Sequence, residues 1–254
     1  MVKKVPGTSL LPSSIVIADN EIHVWLEEVD QSDAQKDTIG AEVLSADELE
    51  RAARYRFPSD RRLFRFAHTF LRQTLGKYLN ANPAKLQFTI GDHGRPELAG
   101  LELRFNLTHT KGLVGCIVTR SMDCGVDAEA IDRRADHELL SRKVFTETEQ
   151  AAFLAAPASE RYVRFFQMWT LKEAYIKARG LGMALPLREI SFDLTAAEPT
   201  ASFGPNVGDT GNDWRYWSGK ATERHVYGVA VRCGLKAVLK VFPVAMSSSL
   251  EPHR

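Results

Sequence analysis

The sequence predicts an α+β fold in which helices and mainly antiparallel strands are interleaved. Its 254 residues, 44% of them hydrophobic and 26% charged, are enough for one large globular unit or two domains of ordinary size. Short segments with alternating apolar residues predict strands, and two long segments with apolar residues at helical intervals predict helices. Because both kinds of segment occur in both halves of the chain, a mixed fold class is favoured.

The first half begins with one or two strands over residues 14–28, where apolar and polar side chains alternate. A capping box at Ser45-Ala46-Asp47-Glu48 predicts a short helix to about residue 55. Ser59 is expected to cap a longer helix, which Asn82-Pro83 ends. The exposed face of that helix is predicted to carry Arg61, Arg62, Arg65 and Arg72. Further strands are predicted at 86–90, 103–107 and 113–119.

The second half predicts strands and helices in a similar order. The predicted strands are 125–129, 190–194, 214–217, 226–232 and 238–242. The predicted helices are 137–144, 147–155 and 159–179. Residues 196–213 are rich in Gly, Pro, Asn and Thr, so we expect a surface loop that could be deleted at little cost. We expect an N-terminal half at 14–120, a C-terminal half at 121–245, and tails at 1–13 and 246–254.

Composition excludes several classes of protein. The formal net charge of +1 gives no overall field to attract nucleic acid, so any anion must bind at a local patch. Cys116, Cys124 and Cys233 are too scattered for a disulfide framework or a zinc site, which indicates a reducing compartment. The N-terminus is interrupted by Pro6-Gly7, so no signal peptide is expected, and no apolar stretch approaches membrane-spanning length. We therefore expect a cytoplasmic protein that binds neither nucleic acid nor a membrane.

A pair of carboxylates is the first candidate for a metal site. Asp127 and Glu129 stand two positions apart on a predicted strand, so both side chains leave the same face. Carboxylate oxygens are hard ligands of the kind that Mg²⁺ takes, together with phosphate oxygens and water. The same Asp-x-Glu spacing is also common on solvated strand edges that bind nothing. Gly125 and the motifs described next favour the metal interpretation.

The long helix predicted in the second half carries the second candidate. Trp169, Glu173 and Lys177 stand at i, i+4 and i+8 and form one stripe. Alone, this pattern is typical of a core tryptophan beside a surface ion pair. Gly180-Leu181-Gly182 follows the helix directly and could approach a pyrophosphate closely, which favours a phosphate site. The cations crowded beside it are Lys172, Lys177 and Arg179.

Two further segments add anion-binding groups. Thr108 and His109 follow a predicted strand at the point where its apolar pattern ends. A lone histidine is more often structural than a ligand, but this one stands beside a hydroxyl group, which favours phosphate binding. Gly94-Arg95-Pro96 forms a basic turn between two predicted strands.

Three of these segments, taken in order, resemble the signature of the Sfp-type 4′-phosphopantetheinyl transferases, which move the phosphopantetheine arm of coenzyme A onto a carrier-protein serine. The segments are Phe105-Asn106-Leu107-Thr108-His109-Thr110, Gly125-Val126-Asp127-Ala128-Glu129, and Trp169-Thr170-Leu171-Lys172-Glu173-Ala174-Tyr175-Ile176-Lys177. The resemblance spans roughly residues 45–195. It implies a fold of two similar halves related by a pseudo-twofold axis, with the cofactor in the cleft between them.

The resemblance also implies a role for each motif residue. Asp127 and Glu129 would be the metal-binding pair, and Glu173 would complete an Mg²⁺ site, with Mn²⁺ left open. The family's WxxKExxxK pattern matches at Trp169, Lys172, Glu173 and Lys177, and Lys177 would hold the transferred phosphate. The implied coenzyme A-binding residues are Arg62, Arg95, Thr108, His109, Lys172 and Lys177. Arg61 and Arg65 remain alternatives to Arg62, and Arg95 and Thr108 replace the family's usual lysine and serine.

The implied reaction is attack of a carrier serine on the β-phosphorus of coenzyme A, with 3′,5′-ADP leaving. Glu173 is the favoured base, and Glu129 acting through a water is the alternative. The expected partners are coenzyme A and apo acyl or peptidyl carrier proteins, and we expect a monomer. Exposed apolar and basic residues at 142–153 are candidates for the carrier-binding surface.

Two other classes of function remain open at this point. A metal-dependent phosphohydrolase could use Asp127, Glu129 and Glu173 with water as the nucleophile. A non-catalytic nucleotide-binding module would keep Arg95, His109 and Lys177, but it would not need three carboxylates. The carboxylates therefore argue against the second class.

Overall fold

The computed structural model describes residues 2–4, 14–29, 38–91, 94–98, 100–132, 136–234 and 236–244, with side chains except at positions 2–4, 183 and 244. The helices are α1 Ala46–Ala53, α2 Pro58–Leu79, α3 His137–Val144, α4 Glu147–Ala155 and α5 Ala158–Arg179. The strands are β1 Val2–Lys4, β2 Glu21–Glu28, β3 Thr89–Ile90, β4 Pro96–Glu97, β5 Leu103–Thr110, β6 Leu113–Arg120, β7 Cys124–Ala130, β8 Ile190–Asp193, β9 Thr200–Phe203, β10 Trp214–Thr222, β11 His225–Arg232 and β12 Val238–Val244. Within these ranges, none of the helices is both long and apolar enough to cross a membrane.

The strands form two principal sheets. The five-stranded sheet has the order β1-β12-β2-β6-β5, in which β1, β12 and β2 are parallel and β6 is antiparallel to both its neighbours. The three-stranded sheet has the order β10-β11-β7 and is antiparallel throughout. Two short ribbons, β3-β4 and β8-β9, lie outside these sheets. The architecture is α+β, as the sequence predicts.

The two halves of the chain repeat one connection pattern. In the first half, β2 leads to α2 and then to β5 and β6, and β6 pairs with both of the other strands. In the second half, β7 leads to α5 and then to β10 and β11, and β11 pairs with both of the others. Both long helices contain 22 residues. This repetition is the two-half architecture that the family resemblance implies.

Two strands cross the division expected between the halves. β12 lies in the segment assigned to the C-terminal half, yet it pairs with β2 of the first half. Residues 2–4, expected in a tail, form β1 and pair with β12. The end of the second half therefore completes the sheet of the first.

The molecule has four layers of secondary structure, and three groups of buried hydrophobic side chains lie between them. One group lies between α2 and the five-stranded sheet, and includes Phe70 and Cys116. A second group lies between the two sheets, and includes Val24 and Val229. The third lies between α5 and the outer face of the three-stranded sheet, where Tyr175 is fully buried. The layers run helix, sheet, sheet, helix, and the burial of their apolar faces supplies the main driving force for folding.

Two glycines let α5 lie directly against the three-stranded sheet. A Cβ atom at Gly125 of β7 would lie 2.0 Å from the carbonyl oxygen of Ala174. A Cβ atom at Gly228 of β11 would lie 2.6 Å from the carbonyl carbon of Thr170. Any larger residue at either position would force the helix backbone away from the strand. This contact fixes how far the side chains of α5 stand from those of β7.

The start and the outer face of α2 differ from the prediction. Ser59 is not the cap, because the helix begins at Pro58, whose fixed φ and missing N–H suit the first turn, with Phe57 as the N-cap. Arg72 is not exposed either. Its guanidinium is buried and donates to a carboxylate oxygen of Glu48 at 2.7 Å and to two backbone carbonyl groups. An arginine can be buried in this way because its charge is paired with the carboxylate of Glu48, and its Nε and Nη1 groups donate hydrogen bonds to oxygen atoms.

Two predicted strands are shorter than expected. The strand predicted at 14–28 is regular only from residue 21, because a turn at 19–20 precedes it. The strand predicted at 86–90 is reduced to β3, which follows a 3-10 helix at Pro83–Lys85. The other predicted strands and helices are present, with ends shifted by a few residues.

The segment 196–213 is not the free surface loop that its composition predicts. It contains β9, which pairs with β8. The carboxylate of Asp209 is buried and accepts hydrogen bonds from the hydroxyl of Tyr175, the guanidinium of Arg179 and the indole N–H of Trp214, at 2.8 to 3.0 Å. These bonds anchor the segment to α5 and β10, so we now expect its deletion to destabilise the protein.

Replacing Gly125 by alanine should lower the free energy of unfolding by about 1–3 kcal/mol, because the new methyl group would overlap the backbone of α5. Gly234→Ala is the matched control, since a Cβ atom there meets nothing within 4 Å, and it should change stability by less than about 1 kcal/mol. Chemical denaturation measures both values. Equal stability of the two variants would contradict the close helix–strand contact.

Asp209→Ala should destabilise the protein by about 3 kcal/mol, because it leaves the half-buried charge of Arg179 and two buried donors without their acceptor. Asp193→Ala is the control, because that carboxylate is exposed and accepts hydrogen bonds from the backbone and side chain of Thr195 at the surface; its cost should stay below about 1 kcal/mol. Thermal and chemical unfolding distinguish the two. If Asp209→Ala is as stable as the control, the segment is not anchored as described.

Candidate active site

The candidate site lies where β5, the edge of the five-stranded sheet, faces β7, the edge of the three-stranded sheet. Three alternate side chains of β5 accept hydrogen bonds from three alternate N–H groups of β7. The acceptor and donor pairs are Asn106 with Val126, Thr108 with Ala128, and Thr110 with Ala130, at 3.1 to 3.4 Å. Thr108 also donates to Oδ1 of Asp127, and Thr110 donates to Oε2 of Glu129, both at 3.2 Å. Side chains thus join the two sheets beside the predicted carboxylate pair.

Lys177 reaches from α5 to the first of these carboxylates. Its Nζ lies 2.7 Å from Oδ1 of Asp127 and 3.2 Å from the carbonyl oxygen of Val126. The lysine side chain keeps 28% of its surface exposed, whereas that of Asp127 keeps 10%. Lys177 therefore spans the contact between helix and sheet, and its role is not confined to a surface pair along the helix.

Glu173 lies one turn before Lys177 on the same side of α5. Partial burial and the negative charges of Asp127 and Glu129 raise the pKa of Glu173 to about 6, against the lowering effect of Lys177. The three carboxylates therefore carry more negative charge than Lys177 compensates.

These groups fit a hard divalent cation. In the part of the chain that the structure describes, Oδ2 of Asp127 is buried and has no hydrogen-bond partner. Besides burial, the negative charges of Asp127 and Glu129 raise the pKa of Glu173, so negative charge is concentrated at the same place. Within the described residues, however, no three His, Cys, Asp or Glu side chains converge closely enough to form a ready-made metal site. Asp127, Glu129 and Glu173 are therefore candidate ligands on two facing elements, and not an assembled coordination sphere.

His109 lies between the carboxylates and α2. The residue is exposed to solvent on average, although its ring is partly desolvated. This desolvation and the positive charges of Lys177 and His68 lower the pKa of His109 below its ordinary value. The negative charges of Asp127 and Asp60 raise the pKa, but by less. The ring is therefore neutral at pH 7. A neutral imidazole offers one N–H donor and one acceptor to a ligand.

Arg95 bridges the two halves from the position before β4. Its guanidinium donates at 3.1 to 3.5 Å to backbone carbonyl groups at the end of α5, in β5 and at the start of β7. The accepting residues are Lys177, Ala178, Phe105 and Cys124. A cation at the C-terminal end of a helix is stabilised by the helix dipole. Arg95 thus brings positive charge beside Gly180, while Asp92 and His93 of the same turn lie outside the described residues.

Lys172 does not lie at the site, so its assignment to coenzyme A binding is corrected. Its side chain has 0% exposure, and its Nζ lies 2.8 Å from Oε2 of Glu149. It also donates to the carbonyl oxygens of Leu187 and Ile190. Burial lowers the pKa of Lys172, and the charge of Glu149 opposes that effect. Lys172 therefore anchors α5 to α4 and β8, on the side of the helix away from Glu173.

Thr108 also differs from its expected position. Thr108 is buried and its hydroxyl already serves Ala128 and Asp127, so it contacts the carboxylate instead of facing a ligand. The neighbours of His109 on α2 are Asp60 and His68. The structure brings Asp127, Glu129, Glu173, Lys177 and His109 together.

The sequence did not single out several residues that shape the site. Asn106 and Thr110 have the same role in joining the strands as Thr108, and Glu149 is the partner of Lys172. The polar side chains at 106, 108 and 110 do have a local signal, because they alternate with period two on a strand. Glu149 has none, since it lies 23 residues from Lys172 in the sequence.

Comparison with known proteins agrees with the motifs. Residues 123–230 match the family model described as the 4′-phosphopantetheinyl transferase superfamily. The chain is 36% identical over 192 residues to the 4′-phosphopantetheinyl transferase HetI of Nostoc sp., which covers 74% of this chain and 80% of HetI. It is 24% identical over 152 residues to the 4′-phosphopantetheinyl transferase Sfp of Bacillus subtilis, which covers 59% of this chain and 66% of Sfp.

A solved structure of the holo-[acyl-carrier-protein] synthase of Thermotoga maritima aligns over 44% of this chain and 62% of that chain, with 19% identity and a TM-score of 0.36. The identification depends on the sequence matches, whose family-model segment contains β7 and α5 with Asp127, Glu129, Glu173 and Lys177. On the extent of its identity to HetI, the chain belongs to the Sfp-type 4′-phosphopantetheinyl transferase family.

Proposed function

We propose that this protein transfers the 4′-phosphopantetheine group of coenzyme A to a serine of apo acyl or peptidyl carrier proteins and releases 3′,5′-ADP. One observation supports this most strongly: among the residues that the structure describes, Oδ2 of Asp127 is buried without a partner, next to a glutamate whose pKa is raised to about 6. Such a concentration of carboxylate groups attracts a divalent cation. We propose Mg²⁺ as the metal, with Mn²⁺ as the alternative, held by Asp127, Glu129 and Glu173.

The proposed chemistry uses the chain's own groups as follows. The serine Oγ of the carrier forms a bond to the β-phosphorus of coenzyme A while the bond from that phosphorus to the bridging oxygen breaks, and this oxygen leaves with 3′,5′-ADP. The serine proton passes to the carboxylate of Glu173, which is the proposed base and lies beside the site of the transferred phosphate. A water held by Glu129 is the alternative acceptor. Bound Mg²⁺ supplies positive charge to the pyrophosphate oxygens.

The cations around the cleft are proposed to hold the phosphates. Lys177 remains partly exposed beside Asp127 and is the candidate for the transferred phosphate. Arg95 and the neutral His109 are candidates for the other phosphates, because both lie at the junction of the two halves. For the nucleotide, Arg61, Arg62 and Arg65 remain alternatives on α2, although Arg61 and Arg65 donate to the carbonyl oxygens of Tyr55 and Ile39.

The surface of α3 and α4 is proposed as the carrier-binding surface. A cavity of about 400 Å³ there is lined by both apolar and basic side chains, among them Phe145, Leu154, Arg142 and Arg188. Exposed leucines and arginines together suit an acidic amphipathic helix, whose charge and apolar face they complement. Phe153, which the sequence placed in this surface, is buried and does not belong to it.

The direct test incubates the protein with coenzyme A, Mg²⁺ and a panel of apo carrier proteins, and measures the intact mass of each carrier. At least one carrier should gain one phosphopantetheine group on its serine, and its Ser→Ala variant should gain none. Asp127→Asn should abolish the gain while far-UV circular dichroism stays unchanged, because the carboxylate serves the cation and not the core. Cleavage of coenzyme A without any carrier would instead favour the phosphohydrolase.

Two charge-removing variants of α5 should lower the transfer rate by about 100-fold or more each. At low Mg²⁺, kcat/KM of the wild type should fall as the pH drops through about 6, because Glu173 becomes protonated. Glu173→Gln should not show this fall, since the titrating group is absent. Lys177→Gln should lower the rate even at saturating Mg²⁺, since its positive charge faces the phosphate. Steady-state kinetics across pH and metal concentration measure both effects.

The control for these two variants is Glu160→Gln. Glu160 forms an exposed i, i+4 ion pair with Arg164 on the same helix at 2.9 Å, so it represents a surface pair without catalytic function. Its variant should transfer at the wild-type rate. If Glu173→Gln and Lys177→Gln behave like this control, the catalytic assignment is wrong.

A further inference from the structure

We propose that Thr108 and Thr110 are positioning residues that orient the carboxylates of Asp127 and Glu129. This inference rests on the proposed function, which gives those carboxylates a metal to bind. Each threonine hydroxyl makes two hydrogen bonds at once. It accepts one from a backbone N–H of β7 and donates one to the carboxylate of the preceding residue, Asp127 in the first case and Glu129 in the second.

The direction of these bonds follows from the chemistry of a hydroxyl group. Its oxygen accepts a hydrogen bond from the N–H group of Ala128 or Ala130, because an N–H group can act only as a donor. Its single proton is then directed to a carboxylate oxygen, which can only accept while it is ionised. Each threonine is thus fixed by the backbone of the strand whose side chain it orients. Both carboxylates are held relative to β7 itself, and not only relative to β5.

At Asp127, this arrangement separates the two carboxylate oxygens. Oδ1 receives the hydroxyl of Thr108 at 3.2 Å and the ammonium of Lys177 at 2.7 Å. Oδ2 is buried and, within the described residues, has no partner. Two donors on one oxygen fix the rotation of the carboxylate, so the other oxygen is the one left for a cation. The donor at Thr108 therefore has a defined effect on the proposed metal site.

The β-branched side chain at 108 makes this orientation more rigid. Thr108 pairs with Gly115 of β6, and a Cβ atom on that glycine would lie 3.5 Å from Cγ2 of Thr108. The methyl group thus occupies the space above Gly115, which leaves the hydroxyl directed towards β7. Serine would keep the hydroxyl but could rotate more freely, because it lacks the second heavy atom on Cβ.

Asn106 provides an internal comparison on the same strand. It accepts the N–H of Val126 at 3.2 Å, as the two threonines do with their own N–H groups. The residue before Val126 is Gly125, which has no side chain to orient. Asn106 therefore joins the strands without contacting a metal ligand at the equivalent position. A variant of Asn106 removes the joining bond alone, whereas a threonine variant removes that bond together with the donor to the carboxylate.

The experiment measures Mg²⁺ affinity by isothermal titration calorimetry on the full chain, without coenzyme A or carrier. Thr108→Val and Thr110→Val keep the shape of the side chain and remove the hydroxyl, and each should weaken Mg²⁺ binding about 10-fold or more. Thr108→Ser and Thr110→Ser should return the affinity to within about threefold of the wild type, since they restore the donor. Asn106→Ala should lose stability but keep the wild-type affinity.

Wild-type affinity in both valine variants would overturn the proposal, as would a loss in Asn106→Ala equal to theirs, since the effect would then come from the strand contact alone. In transfer assays, the valine variants should need about 10-fold more Mg²⁺ for half-maximal rate, with the KM for coenzyme A unchanged. Failure of the wild type to transfer would contradict the proposed function alone, because the affinity comparison uses neither substrate.

Discussion

The site depends on the direct contact of the α5 backbone with β7 and β11. Gly125 and Gly228 permit that contact, because a Cβ atom at either position would overlap the helix backbone. With the helix this close, Lys177 bonds directly to Asp127, and the charge of Glu173 is felt by the strand carboxylates. A larger separation of α5 from β7 would let water enter between them and screen these charges. The two glycines therefore determine the electrostatics of the site as well as the packing of the second half.

Different sides of α5 make different contacts, although the two residues that make them, Lys172 and Glu173, are adjacent in the sequence. Lys172 is fully buried against Glu149 and two carbonyl groups, which ties the helix to α4 and β8. Glu173, the next residue, faces β7 with an uncompensated charge. Because a buried ion pair is costly to break, the contact of Lys172 with Glu149 fixes the angle by which α5 is rotated about its own axis. The catalytic assignment of Glu173 depends on this rotation, since a turn of one residue would carry it away from the strand.

Local patterns predicted the parts of the structure that local physics determines. The period of apolar residues predicts α2, α5 and most strands, and the Asp-x-Glu and Glu-x-x-x-Lys spacings predict which side chains share a face. Two of the errors involve bonds that form only in the tertiary fold. Arg72 was expected in solvent because nothing nearby indicates its bond to Glu48. The segment around Asp209 was expected to be a loop on its composition. That composition does not indicate the bonds of Asp209 to Tyr175 and Trp214, which form only in the folded protein.

The central claim is that the three carboxylates form one site for a divalent cation. It is tested most directly by the pKa of Glu173, followed through its side-chain carboxyl carbon by NMR with and without Mg²⁺. Without metal, the account predicts a pKa of about 6, since burial and the two neighbouring carboxylates disfavour the charged form. Saturating Mg²⁺ should lower that pKa below 4.5, the ordinary value, because the cation favours the charged form. An ordinary pKa in the metal-free protein, or a titration that Mg²⁺ leaves unchanged, would contradict the account.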